Sequence, residues 1–81
     1  MDKDKFIEVL IEEYSEQVKD IIITGYSNSG SKLNFRWLNG KLQALRIDQS
    51  PLSLSEDEWY ELIFELAPDV YDDLYYGRYA A

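Results

Sequence analysis

The sequence contains no cysteine and no histidine, which removes the side chains that most often serve as catalytic nucleophiles and general bases. Without cysteine there is no disulfide framework and no thiolate zinc site. The 4 glycines are isolated, so no glycine-rich phosphate loop occurs. The longest apolar runs, such as Ile21–Ile23, are far too short to cross a membrane, and the N-terminus lacks the apolar segment of a signal peptide. These absences predict a non-enzymatic protein of the cytoplasm.

Carboxylates are plentiful, but their spacing does not favour a catalytic or metal site. The doublets Glu12-Glu13 and Asp72-Asp73 would point about 100° apart on a helix, so neither forms a dyad by itself. Residues 48–58 and 69–73 lack the spacing of a calcium-binding loop. We therefore expect no metal and no cofactor.

Charge is distributed in blocks along the chain. The net charge is −8, made up of −4 over residues 1–20, +3 over residues 21–55 and −7 over residues 56–81. Like charges repel, so direct binding to nucleic acid or to an anionic membrane is disfavoured. A basic partner is favoured.

The hydrophobic pattern predicts a helix followed by a three-stranded meander. Apolar residues recur at helical spacing over residues 4–18, and the β-branched run after them favours a strand. Asn39-Gly40 is the strongest available signal for a hairpin turn. The predicted strands are Ile21–Tyr26, Lys32–Trp37 and Lys41–Ile47, with a turn at Ser27–Ser31.

Two helices are predicted in the C-terminal third. Ser55 and Glu58 have the spacing of a capping box, in which each side chain binds a backbone amide of the other's position. Pro68 is expected to end this helix and to start a short one through Tyr76, with Gly77 as the stop.

The expected fold class is therefore α+β: helix, three-stranded antiparallel β-meander, helix and short C-terminal helix, in a single domain spanning residues 1–81. The helices are expected to pack on one face of the sheet. The expected core residues are Ile7, Leu10, Ile11, Tyr14, Ile21, Ile23, Leu33, Phe35, Trp37, Leu42, Trp59, Ile63 and Leu66.

The densest negative charge lies in residues 56–73, which hold eight acids and no base. Solubility alone explains some of them, but mixed signs would serve solubility as well, and like charges in sequence repel. Tyr71, Tyr75, Tyr76 and Tyr79 alternate with these acids, and interfaces are enriched in tyrosine. The predicted partner-binding residues are Glu58, Glu61, Glu65, Asp69, Asp72, Asp73, Tyr75 and Tyr76.

Lys32, Arg36 and Lys41 are too few to indicate RNA binding, and we expect them to pair with helical carboxylates of the same molecule. The element order resembles that of the double-stranded RNA-binding domain. That domain holds phosphate at a basic start to its last helix, where this chain has Glu56-Asp57-Glu58, so RNA binding is rejected.

The acidic, tyrosine-rich segment from Ser55 to Tyr79, together with the helix–meander–helix order, resembles small acidic phage inhibitors of the anti-CRISPR class. It is also similar to acidic immunity proteins that neutralise nuclease toxins. Both resemblances imply a nucleic-acid mimic, that is, a protein inhibitor whose carboxylates occlude a basic nucleic-acid site.

We therefore expect a stoichiometric inhibitor of a nuclease or another nucleic-acid-processing protein, with phage counter-defence as its setting. An immunity protein against a nuclease toxin is the alternative within this class. A small adaptor or homodimeric interaction domain, with no nucleic-acid rival, is the alternative outside it.

Overall fold

The computed structural model describes residues 2–29, 32–47 and 53–80, with side chains as far as residue 76 in the last range. Over these residues the chain forms helices and short connections, and no strand or sheet is present. The helices are α1 (Lys3–Glu13), α2 (Ser15–Ser29), α3 (Phe35–Ala44), α4 (Glu56–Leu66) and α5 (Pro68–Ala80).

The expected α+β fold with its meander is therefore wrong, and the first error lies at Ile21–Tyr26. This segment is the middle of α2, where Val18, Ile22 and Gly25 are buried at helical spacing. A β-branched residue disfavours a helix by at most about 0.7 kcal/mol. Full burial of an isoleucine contributes about 1.5–3 kcal/mol. Packing of one helical face therefore outweighs the local preference for a strand.

The second and third expected strands are replaced by α3 and its flanking connections. Asn34 caps α3, because its side-chain oxygen accepts a hydrogen bond from the backbone N–H of Trp37 at 3.1 Å. Leu38 and Leu42 are then buried one turn apart. Of the expected turn at Ser27–Ser31, the first three residues end α2 and the last two lie outside the described residues.

The expected hairpin turn at Asn39-Gly40 lies inside α3. Asn39 faces the connection before α4: its Nδ2 donates to the carbonyl of Leu54 at 3.0 Å, and its Oδ1 accepts from the Leu54 N–H at 2.9 Å. The same Oδ1 accepts from the indole N–H of Trp59 at 3.0 Å. These tertiary hydrogen bonds stabilise Asn39, a residue type common in turns, at a position inside a helix.

The single helix expected over residues 4–18 is interrupted. Asp2 caps its N-terminus by accepting from the Lys5 N–H at 2.8 Å. The helix ends at Glu13, and Tyr14 leaves helical geometry with φ −124° and ψ 21°. The chain then enters α2 at Ser15, so one predicted helix is two.

The capping box at the start of α4 is confirmed. Glu58 N–H donates to the Ser55 hydroxyl at 3.3 Å, and Ser55 N–H donates to Glu58 Oε1 at 2.8 Å. A helix does begin at Pro68, as expected, but it continues past Gly77 to Ala80, so the predicted stop is wrong.

The core lies between α1, α2, α3 and α4, with α5 packed mainly on α4. Of the expected core residues, five are buried, seven are partly buried against the core, and Ile23 is 41% exposed. Ile23 is misplaced because a strand would turn it inward, whereas the helix turns Ile22 inward. The buried residues are Phe6, Ile7, Leu10, Val18, Ile22, Leu38, Leu42, Ile47, Leu54, Trp59, Leu62, Ile63, Ala67 and Leu74.

Candidate protein-binding surface

Helix α4 divides sharply into a buried face and an exposed face. Trp59, Leu62 and Ile63 are fully buried. The spacing i, i+3, i+4, i+7 places a different set together on the opposite side. That set is Asp57, Tyr60, Glu61 and Phe64, and it combines two carboxylates with two aromatic rings.

Helix α5 adds more aromatic rings beside this face. Its Leu74 is buried, and Val70 and Tyr71 pack against the core from a partly buried position. Tyr71 thereby comes against α4, with its ring centroid 5.1 Å from that of Phe64 and 6.3 Å from that of Tyr60. Both contacts are edge-to-face, at interplanar angles of 77° and 84°.

The ring contacts continue in both directions to form a row across α3, α4 and α5. Phe35 lies 5.9 Å from Tyr60, Tyr71 stacks on Tyr75 at 5.9 Å, and Tyr75 meets Tyr76 edge-on at 5.1 Å. Edge-to-face and offset contacts at such distances are favourable for aromatic rings. We call Phe35, Tyr60, Phe64, Tyr71, Tyr75 and Tyr76 the aromatic row.

The aromatic row is open to solvent over much of its length. Phe64 is 57% exposed, Tyr75 49% and Tyr76 64%. Single exposed apolar side chains are normal, whereas contiguous exposed patches commonly mark interaction sites. The aromatic row therefore distinguishes this face from ordinary acidic surface.

A depression of about 460 Å³ lies in the middle of this face. Its lining consists of four residues of α4 and one of α5: Asp57, Tyr60, Glu61, Phe64 and Tyr71. Neither carboxylate makes an ion pair or hydrogen bond to another described residue. The depression thus combines an aromatic wall with two negative charges that no described basic residue neutralises.

Glu58, a predicted partner-binding residue, is used by the fold. Its carboxylate accepts from the Ser55 backbone N–H and lies 3.0 Å from Lys3 Nζ on α1. The hydrogen bond from Ser55 first, and the Lys3 ammonium with it, hold the pKa of Glu58 below its usual range. Glu58 therefore ties α4 to α1.

The other predicted acids remain exposed. On α5, Asp69, Asp72 and Asp73 are exposed on the side away from the buried Leu74, and Tyr76 shares that side. On α4, Glu61 lines the depression and Glu65 is exposed one turn further on. Among the described residues, Lys3–Glu58 is the one salt bridge.

The expected pairing of the central bases with helical carboxylates does not occur among the described residues. Lys41 instead lies over the Trp37 ring, 5.5 Å from its centroid, while Lys32 and Arg36 are exposed. Glu58 excepted, the acids of α4 and α5 thus form no ion pair with another described residue.

The predicted partner-binding residues include Glu61 of the depression and Tyr75 and Tyr76 of the aromatic row. They do not include Asp57, Tyr60, Phe64 and Tyr71. The sequence did contain a signal for the residues of α4, because Asp57, Tyr60, Glu61 and Phe64 have the spacing of one helical face. What the sequence could not supply was the position of Tyr71, which depends on how α5 turns back onto α4. The side chain of Tyr79 lies outside the described residues.

Neither a membrane-spanning helix nor a metal-binding cluster is present in the part of the chain that the structure describes. It contains no helix long and apolar enough to cross a membrane. It also contains no group of three or more histidine, cysteine, aspartate or glutamate side chains placed to hold a metal ion. The chain matches no protein-family model, no curated protein and no solved structure.

Proposed function

We propose that this protein binds a basic protein through the face formed by α4 and α5, and that it does so by occupying a nucleic-acid-binding groove. We call this face the acidic–aromatic surface. It comprises the rings of the aromatic row on α4 and α5 and exposed acids of the same helices: Asp57, Tyr60, Glu61, Phe64, Glu65, Asp69, Tyr71, Asp72, Asp73, Tyr75 and Tyr76.

The observation that carries the proposal is that exposed rings occur on one pair of helices together with exposed carboxylates that form no ion pair with another described residue. Phe64, Tyr75 and Tyr76 are about half exposed or more, and Asp57 and Glu61 line the depression together with Phe64. Aromatic side chains at interfaces commonly supply most of the binding free energy, while complementary charge sets orientation and association rate. The two kinds of group occur together here.

A nucleic-acid-binding groove is the class of partner that best suits this charge. Such grooves present lysine and arginine in positions that neutralise regularly spaced phosphates. Asp57, Glu61 and Glu65 recur every four residues on α4, a rise of about 6 Å per step. Asp69 and Asp73 repeat that spacing on α5. Carboxylates at these positions can engage the cations that would otherwise hold phosphate.

Self-association through the same surface is less favourable. A two-fold interface brings identical patches together, so the acids of residues 56–73 would face their own copies with no base between them. The homodimer therefore becomes an outcome to test, by measuring the mass of the free protein in solution.

The resemblance to phage inhibitors and immunity proteins loses its architectural part, because the helix–meander–helix order is absent over the described residues. The acidic, aromatic C-terminal segment remains as support. We therefore define the partner by its chemistry, a basic nucleic-acid-processing protein of the cytoplasm. Inhibition by occlusion, without catalysis and without a cofactor, is the mechanism that follows.

The test compares two variants with the same change in net charge. Asp57→Lys/Glu61→Lys alters the acidic–aromatic surface, and Glu8→Lys/Glu12→Lys alters two exposed acids of α1 with the same four-residue spacing. Each variant is immobilised, and proteins captured from cell lysate are identified by mass spectrometry. Added duplex DNA or RNA then serves as the competitor.

We expect the wild type and the α1 variant to retain a basic protein that DNA or RNA displaces. The surface variant should bind it at least about tenfold more weakly. Retention that is equal in both variants would show that the surface is the wrong site. If added DNA or RNA did not displace the captured protein, the alternative of a small adaptor domain would be favoured.

A further inference from the structure

We infer that the depression lined by Asp57, Tyr60, Glu61, Phe64 and Tyr71 is a receptor for a single arginine side chain of the partner. This inference rests on the proposed function, because it specifies which group of a basic protein the surface receives. Its support is the arrangement of the three rings and two carboxylates around one depression.

The first argument is the orientation of the rings. Tyr71 stands at 84° to Tyr60 and 77° to Phe64, so the aromatic wall forms a corner with faces in two directions. A cation is attracted to the face of an aromatic ring within about 6 Å of its centroid. Tyr75 stacks on one face of Tyr71, so Phe64, which is 57% exposed, is the ring of the depression most open to a cationic group.

The second argument is the charge at the rim. Asp57 and Glu61 stand one turn apart on α4, and both line the depression. Two like charges in this relation repel each other across the helix surface. A bound cation would relieve that repulsion, and the described residues supply none, since Lys3–Glu58 is the one salt bridge among them.

Arginine fits these features better than lysine does. Its guanidinium is planar, stacks on aromatic rings, is weakly hydrated and donates several hydrogen bonds from one plane. One guanidinium can therefore lie against a ring face and direct N–H groups to a carboxylate at the same time. A lysine ammonium is a compact, strongly hydrated charge, so it loses more on entering an aromatic corner.

The experiment is an NMR titration of the full ¹⁵N-labelled chain with N-acetyl-arginine methylamide. The lysine and citrulline analogues are titrated in parallel; citrulline keeps the shape of arginine without its charge. We expect weak, saturable binding of the arginine compound, with the largest shift changes at residues 57–64 and 71. We expect the lysine compound to bind about threefold more weakly and the citrulline compound not to saturate.

Two variants test the assignment, and a third is the control. Glu61→Gln removes one charge with little change in shape, and Phe64→Leu removes a ring that is 57% exposed. Each should weaken arginine binding about threefold or more, and Glu61→Gln should do so without lowering the melting temperature. Glu12→Gln, at an exposed position on α1, should bind as the wild type does.

Equal binding of arginine and citrulline, or shift changes confined to other helices, would overturn the inference. The proposed function would survive that result if the lysate test still depended on Asp57 and Glu61. Conversely, if the arginine compound bound saturably while the surface variant captured proteins from lysate as the wild type does, that result would support a cation site but contradict the proposed function.

Discussion

At the scale of single residues, Asn39 connects three parts of the fold. Its amide satisfies the backbone N–H and C=O of Leu54 and the indole N–H of Trp59, all at 2.9–3.0 Å. Trp59 is fully buried, and a buried donor without an acceptor costs about 1–3 kcal/mol. Asn39 therefore fixes both the connection before α4 and the central core side chain.

Asn39→Ala should lower the free energy of unfolding by about 2–4 kcal/mol, because it leaves these polar groups of Leu54 and Trp59 without partners. Urea denaturation measures the change. The matched control is Gln43→Ala, which removes an exposed hydrogen bond from the next turn of α3 to Ser53. Its cost should stay below about 0.5 kcal/mol, and similar losses in the two variants would contradict the role given to Asn39.

Glu58 predicts a pH dependence of stability. The Ser55 N–H and the Lys3 ammonium lower its pKa in the folded state, so the folded state favours the charged carboxylate. Its contribution is therefore present above the pKa of an ordinary glutamate and is lost as the pH falls through the lowered value.

The stability difference between the wild type and Glu58→Gln should be constant from neutral pH down to about pH 5 and should shrink below about pH 4. Denaturation series at several pH values give this difference. Glu12→Gln, which removes an exposed carboxylate from α1, serves as the control. If the stability difference between the wild type and Glu58→Gln grew as the pH fell, it would contradict the role given to Glu58.

At the scale of elements, the sequence predicted helices where caps and periodicity agreed. The start of α4 was predicted from Ser55 and Glu58, and the start of α5 from Pro68. The error over residues 21–47 came from reading Leu33, Phe35 and Trp37 as strand alternation and Asn39-Gly40 as a turn. The burial of Leu38 and Leu42 and the hydrogen bonds of Asn39 are tertiary effects that outweigh those local preferences.

Gly25 and Gly40, two glycines within helices, differ in what surrounds them. A methyl group at Gly25 of α2 would lie 3.0 Å from the Leu38 side chain and 3.1 Å from that of Trp37. Leu38 is fully buried, so it has little room to move. Nothing lies within 4 Å of the equivalent position at Gly40. Close approach of α2 and α3 therefore requires a small residue at Gly25 alone.

Substitution of either glycine by leucine should change the free energy of unfolding, but in opposite directions. Gly25→Leu should destabilise the protein by about 1–3 kcal/mol through overpacking. Gly40→Leu should stabilise it by about 0.5–1 kcal/mol, because leucine favours a helix more than glycine does. Thermal or urea denaturation measures both. A stabilising Gly25→Leu would show that α2 and α3 are not held as closely as described.

At the scale of the whole molecule, the acids of α4 and α5 affect the stability of the free protein. Its net charge is −8, and one salt bridge forms among the described residues. Uncompensated charge of one sign destabilises a compact state by self-repulsion. Salt should therefore stabilise the free protein and weaken its binding to a basic partner.

The melting temperature should rise as salt increases from about 0.01 M to about 0.5 M, because screening shortens the range of the repulsion. Asp72→Asn/Asp73→Asn should raise the melting temperature at low salt and reduce its salt dependence. A double variant with an unchanged salt response would show that these two exposed acids contribute no repulsion.

The attachment of α5 has a consequence for recognition. This helix packs mainly on α4, yet it carries Tyr71, Tyr75 and three of the predicted acids. Undocking of α5 would remove Tyr71 and the acids of α5 from the acidic–aromatic surface and would expose Leu74, which is part of the core. A partner that contacts both α4 and α5 must bind the form in which α5 is packed on α4. Binding of such a partner should therefore slow amide hydrogen exchange in α5 more than in α2.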